Sequence, residues 1–184
     1  TFASKCVSST LASINAVMAA GVGALSGELH GGADEAAVMA AREAASPENA
    51  KAFVSNLLAR KGKLMGMGHR EYKVVDPRAL ILKPMAESLC KGTPAENLYE
   101  TLQALEIEFN AEMQARGKDL WANVEYYKGA VFVALGIPAD NFTALFAMAR
   151  SVGWLAHFIE DRQDNRIFRP KAEYTGQQYR DLSA

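Results

Sequence analysis

The sequence predicts an all-α protein, on three observations. Apolar residues recur at spacings of three and four along nearly the whole of the 184 residues. No segment keeps a period of two between turn residues. Glycines and prolines fall where helical stretches start or stop. A first helix is expected from about residue 2 to 25, with Phe2, Cys6, Leu11, Ile14, Met18 and Val22 near one face and an end at the small-residue run of Gly21, Gly23 and Gly27. Residues 26–33 read as a loop. Asp34 is placed to cap a short helix reaching about Ala45, and Ser46-Pro47-Glu48 opens the next, which Gly62 ends. The stretch 63–75 has no clean period and reads as loop. Asp76-Pro77 restarts a helix, with a kink expected at Pro84 and an end at Gly92. Thr93-Pro94-Ala95-Glu96 has capping-box spacing and opens a long helix with Leu98, Leu102, Leu105 and Phe109 in one stripe, ending near Gly117. Two more helices are expected over about 124–135 and 142–161, separated by Gly136-Ile137-Pro138. From Asn165 the tail reads as irregular.

Composition narrows the function. Lysine and arginine number 20 against 21 aspartates and glutamates, for a net charge of −1, so no overall positive field exists to hold nucleic acid or an anionic membrane. Hydrophobic residues at 49% and charged residues at 22% describe a globular chain with a core. Cys6 and Cys90 read as ordinary thiols of a reducing, cytoplasmic setting, without disulfide or zinc spacing. There is no run of 18 uninterrupted apolar residues. Thr1–Leu25 lacks a basic leader and carries Lys5 within its apolar pattern. Because the chain opens on Thr1 and enters a helical pattern at once, further sequence upstream is expected.

Three histidines are present. His30 and His69 lie in glycine-flanked loops, where the main chain can approach a ligand closely. Taken one at a time, each reads first as part of a turn or a helix cap. No carboxylate pattern links the two, so a metal site is not expected. His157 falls within the apolar pattern of Trp154, Leu155, Phe158 and Ile159 and reads as a satisfied helix histidine. The glycines before His69 lack the Lys-Ser/Thr ending of a phosphate-binding loop.

Taken together, the loops resemble those of the citrate synthase family. Leu25-Ser-Gly-Glu-Leu-His30-Gly-Gly-Ala-Asp-Glu35 is similar to its substrate loop, and Gly66-Met-Gly-His69-Arg-Glu-Tyr-Lys73-Val-Val-Asp76-Pro-Arg78 to its signature segment. The stretches 123–129, 146–154 and 164–171 follow in family order. The resemblance covers essentially the whole chain and corresponds to roughly the C-terminal half of a family member.

The resemblance implies an all-helical enzyme that condenses acetyl-CoA with oxaloacetate as a homodimer, with CoA as co-substrate, no permanently bound cofactor and no metal. It implies three parts: 1–26 from a large domain, 27–135 as a small CoA-binding domain, and 136–184 as terminal large-domain helix and tail. His30 would donate to the enolate oxygen, and His69 would polarise the oxaloacetate ketone. Arg78, Arg150 and Arg169 would hold carboxylates, the last from the partner subunit. The backbone of Leu64, Met65, Gly66, Met67 and Gly68 would line the adenine pocket, with Lys73 at the CoA phosphates. Two residues depart from the pattern. Glu125 stands where the base is an aspartate, and Asp34, where an asparagine is usual, adds negative charge beside an anionic-substrate loop. A further substrate-binding histidine belongs to a segment upstream of Thr1, and helix faces that pack on that missing half would be left exposed. A 2-methylcitrate synthase using propionyl-CoA, and a non-catalytic binding protein of the same fold, are the alternatives.

Overall fold

A computed structural model describes residues 1–27, 30–69 and 74–177. Eight α-helices lie among them: α1 Phe2–Ser8, α2 Ile14–Leu25, α3 Ala33–Ala44, α4 Ala50–Ala59, α5 Pro77–Cys90, α6 Glu96–Ala115, α7 Val124–Ala134 and α8 Phe142–Gln163. A single antiparallel bridge, Met67 to Ala122, is the only β pairing among the described residues.

The single helix expected over 2–25 is two. The Ser9 hydroxyl donates to the Cys6 carbonyl and that of Thr10 to the Val7 carbonyl, each at 2.7 Å, and Leu11 has φ of 62°. Hydroxyls that bond back to the preceding turn offer the chain an alternative to continuing the helix. The expected stripe is broken with it, and Phe2, Leu11 and Val22 are exposed.

Two caps also differ from expectation. Asp34 lies inside the first turn of α3, whose N-cap is Gly32. At α6 the acceptors lie one residue off the capping-box register: Thr93 Oγ1 accepts from Ala95 N, and Glu96 carboxylate accepts from Gly92 N at 3.1 Å. Asp76 and Asn123 cap α5 and α7 with their side chains, accepting from Arg78 N and Glu125 N. α5 runs as one helix through Pro84.

The chain divides into two compact units, residues 22–150 and residues 1–21 with the chain from 151 onward. In the larger unit α5 and α3 pack on α7, and α4 and α3 on α6. Val38, Ala41, Val54, Leu57, Leu102, Leu105, Phe109, Tyr126, Tyr127, Ala130 and Phe142 form its core. In the smaller unit Lys5 pairs with Asp161 at 2.7 Å. There the tail is tied back by Asn165 Nδ2 to Ser9 O and by Phe168 N to Ser9 Oγ. His157 Nδ1 meets Glu160 at 2.8 Å, a local helix pairing as expected. Cys90 is buried and Cys6 partly so, and both are free thiols.

Exposed apolar side chains are spread over the described residues and include Leu80 and Ile81 on α5 and Met148, Val152, Leu155 and Ile159 on α8. The α8 set is spaced 4-3-4, one continuous stripe. Within residues 139–163 one 18-residue window reaches a mean hydropathy of 1.3, enough by length and composition to cross a bilayer. Asp140, Arg150, Glu160, Asp161 and Arg162 punctuate that segment, so the stripe and not the whole circumference is apolar.

Candidate functional site

The site is built from three local structures in the larger unit. The first is the turn between α2 and α3. Gly31 N donates to Leu25 O at 2.9 Å, and His30 N to Gly27 O, while Thr143 Oγ1 of α8 holds the Gly31 carbonyl at 2.8 Å. A Cβ at residue 31 would strike the Leu25 carbonyl and lie 2.9 Å from the Thr143 methyl, so only glycine permits this approach. The turn presents an exposed His30 whose ring meets that of Phe146 in a T-shaped contact, centroids 6.1 Å apart and planes at 70°.

The second is the segment 64–69. Gly68 N donates to Trp121 O at 2.7 Å and Asn123 N to Gly66 O at 2.8 Å. Gly66 adopts φ of +83°, and a Cβ there would stand 3.0 Å from Tyr126 Cα. The segment therefore lies flat against the start of α7 and delivers a half-buried His69 beside it.

The third is the N-terminus of α7. Asn123 caps it through Oδ1, 3.0 Å from Glu125 N, and donates through Nδ2 to Gly68 O at 2.9 Å. One side chain thus ties the base of Glu125 to the residue before His69. Glu125, half-buried in the first helical turn, faces the positive end of the helix.

These three structures converge on one cleft of about 690 Å3 lined by His30, His69, Glu125 and the whole of Leu64–Gly68. A smaller cavity of about 240 Å3 shares Gly68, His69 and Asn123 with it and adds Asp76. Asp34 and Lys128 lie just behind the His30 turn. Asp34, fully buried, meets Lys128 Nζ at 3.0 Å, so the extra negative charge expected beside the substrate loop is neutralised within the fold.

Arg78 and Arg150 belong to the same unit but do not line the large cleft. Arg78 is held by Asp76, which accepts from its Nε at 3.1 Å and from Nη2 at 2.8 Å. Burial raises the Asp76 carboxyl, but hydrogen bonds from Arg78 and from Val124 N outweigh it and leave the pKa below the ordinary value. Arg169 is exposed in the irregular tail of the other unit. Lys73 lies outside the described residues.

Four cations that sequence reasoning missed stand on the cleft: Lys61 and Lys63 after α4, and Arg116 and Lys118 after α6. The signal was a repeated pattern, Lys61-Gly62-Lys63 and Arg116-Gly117-Lys118, at two helix C-termini. Each alone is what a helix dipole favours, and only packing of α4 on α6 brings the two together. Among the described residues no group of three His, Cys, Asp or Glu side chains is arranged to hold a metal ion.

A family model described as the citrate synthase C-terminal domain matches residues 1–171. Citrate synthase of Synechocystis is 45% identical over 176 residues, covering 96% of this chain and 44% of that protein. Citrate/2-methylcitrate synthase of Bacillus subtilis is 38% identical over 184 residues, 100% of this chain and 48% of its own. The fold is similar to that of Thermoplasma acidophilum citrate synthase in its ternary complex with carboxymethyl coenzyme A and oxaloacetate. That match has a TM-score of 0.88 and 36% identity, over 99% of this chain and 49% of the other. The chain belongs to the citrate synthase family. It spans about half the length of the curated relatives it matches.

Proposed function

We propose that this chain carries the catalytic half of a citrate synthase, which joins the methyl carbon of acetyl-CoA to the keto carbon of oxaloacetate and then hydrolyses the thioester. The observation that carries the reading is the meeting of His30, His69 and Glu125 on one cleft whose rim bears Lys61, Lys63, Arg116 and Lys118. A thioester enolate is too unstable to accumulate in water. Forming it needs a base at the methyl group and a hydrogen-bond donor at the carbonyl oxygen together. Glu125 takes the methyl proton, and the developing charge on the thioester oxygen is met by an N–H of His30. The enolate carbon then attacks the oxaloacetate ketone, whose oxygen is polarised by a hydrogen bond from His69 and takes up a proton, delivered from solvent through His69, to become the citryl hydroxyl. Water attacks the citryl thioester and releases CoA as its thiol. The four rim cations supply charge for the phosphates of CoA, the backbone of 64–68 lines the adenine, and Lys73 adds a phosphate contact.

Arg78 and Arg150 suit the two carboxylates of oxaloacetate, with Arg169 of the partner subunit completing the site in a homodimer. Asp76 favours this role for Arg78, because it fixes the orientation of the guanidinium. On this reading residues 27–135 are the small CoA-binding domain and the two ends belong to the large one, in a cytoplasmic enzyme.

Glu125 is one methylene longer than the family's aspartate, and displacement by about 1 Å can cost about a hundredfold in rate. The capped start of α7 sets where that extra length goes. In the whole protein, Glu125→Gln is expected to abolish solvent deuterium exchange into the acetyl group of a non-reacting acetyl-CoA analogue while analogue binding persists. Glu125→Asp is expected to keep or raise the rate. Parental turnover in Glu125→Gln would remove Glu125 as the base.

A further inference from the structure

We propose that the buried Lys128–Asp34 pair is a positioning device for His30, acting through the ring of Phe146. The proposal rests on the role given to His30 above. Lys128 is on α7, Asp34 in the first turn of α3, Phe146 on α8 and His30 in the turn between α2 and α3, so the group joins three helices to that turn. The side chain of Asp34 is 0% exposed and that of Lys128 12%. Asp34 Oδ1 accepts from Glu35 N at 2.9 Å. Among the described residues neither Asp34 Oδ2 nor Lys128 Nζ has an aligned hydrogen bond, so the two meet as an ion pair at 3.0 Å. The other neighbour of the ammonium is an aromatic face, with Nζ 4.1 Å from the centroid of Phe146. That same ring makes the T-shaped contact with His30.

An ion pair out of water is a costly way to fill space, since two charges lose hydration, and apolar residues of similar size commonly serve as well or better. What the pair provides here is a cation fixed over one face of Phe146. The ammonium attracts the ring's negative face and so holds the ring where it bounds His30. His30 is exposed, and no other ring contact with it is present among the described residues, so without that wall its imidazole has more freedom to turn. A donor that must meet an enolate oxygen loses rate when its orientation spreads. Lys128 also lies one turn from Glu125, which makes direct action on the base the rival explanation, and the test separates the two.

The test uses the whole protein with labelled histidine, the His30 ring signal being assigned by its loss in His30→Asn. Lys128→Met alone strands a buried carboxylate and risks misfolding, so the informative variant is Asp34→Asn/Lys128→Met, in which the pair is neutral. It is expected to keep the parental thermal midpoint, to shift the His30 ring nitrogen resonances, and to lower kcat about tenfold with KM for acetyl-CoA within about twofold. Phe146→Leu is expected to do the same, and the triple variant to be no slower than either, because both act on one device. An unshifted His30 resonance in the neutral variant overturns the proposal whatever the kinetics, and so do losses that multiply in the triple variant. If the parent itself does not condense the two substrates, the functional reading fails, while the His30 resonance still decides the positioning role.

Discussion

Asp76 shows how much one carboxylate can organise. It caps α5, forks onto Arg78 and accepts from Val124 N at 3.2 Å, all while 1% exposed. Asp76→Asn keeps the shape and removes the charge, and is expected to lower stability by about 1–3 kcal/mol, the cost of leaving Arg78 with a weaker acceptor. Urea midpoints of the two proteins check this. Because the folded pKa of Asp76 is depressed, its contribution is fully present above the ordinary carboxylate pKa of about 4 and is lost as pH falls through the folded value. Parent and variant should therefore converge in acid and differ at neutral pH, and a difference that stays constant down to the acid end would contradict the assignment. Arg150→Leu is expected to weaken oxaloacetate binding by at least about 2 kcal/mol, since a carboxylate loses its charged partner. Unchanged affinity by calorimetry would remove Arg150 from the site.

At the scale of elements, α7 and the segment 64–69 behave as one piece because Asn123 serves both. Asn123→Ala removes a helix cap worth about 1 kcal/mol and a bond to the Gly68 carbonyl worth about as much. Stability is expected to fall by about 2 kcal/mol in a denaturation curve, with kcat falling further than that loss explains, since His69 and Glu125 lose their common anchor. A variant with a lowered midpoint and parental kcat in the folded fraction would confine Asn123 to stability. The α6–α7 interface carries a second signature in its tyrosines. Burial, then the charge of Glu87, pushes Tyr99 up to about 12, and burial with Glu106 nearby also raises Tyr126 and Tyr127 well above the ordinary phenol value. Raised folded pKa values mean that this contribution is whole below the unfolded value of about 10 and is lost as pH rises through the folded ones. Helical signal and phenolate absorbance are expected to change together above pH about 10. Phenolates appearing near 10 with helicity intact would show these side chains to be solvated.

For the whole molecule, exposed tail and exposed stripe are two parts of one expectation. Arg169 is exposed in the tail, and Met148, Val152, Leu155 and Ile159 of α8 are exposed as well. If Arg169 completes the site of the partner subunit, mixing Arg169→Ala and His69→Ala chains of the whole protein should restore activity, because one of the two hybrid sites keeps both residues. No recovery in a verified heterodimer would return Arg169 to its own subunit or to a structural role.

What the sequence determined by itself is what short-range physics decides. Helix class followed from the 3.6-residue period, and the start of α5 from Asp76, whose side chain reaches a backbone N–H two residues away, while the matching cap of α7 by Asn123 emerged only in the structure. The loop histidines were marked by glycines that the backbone needs there. Family membership was legible too, because five motifs stand in order along the chain. Tertiary structure decided everything that joins residues distant in sequence. The break at 9–13 depends on which turn each hydroxyl chooses. The four rim cations look like ordinary helix ends until α4 packs on α6, and Asp34 looks like unbalanced charge until Lys128 arrives from α7. Periodicity records which face of an element is buried, while the partner it is buried against is set by the packing of the whole.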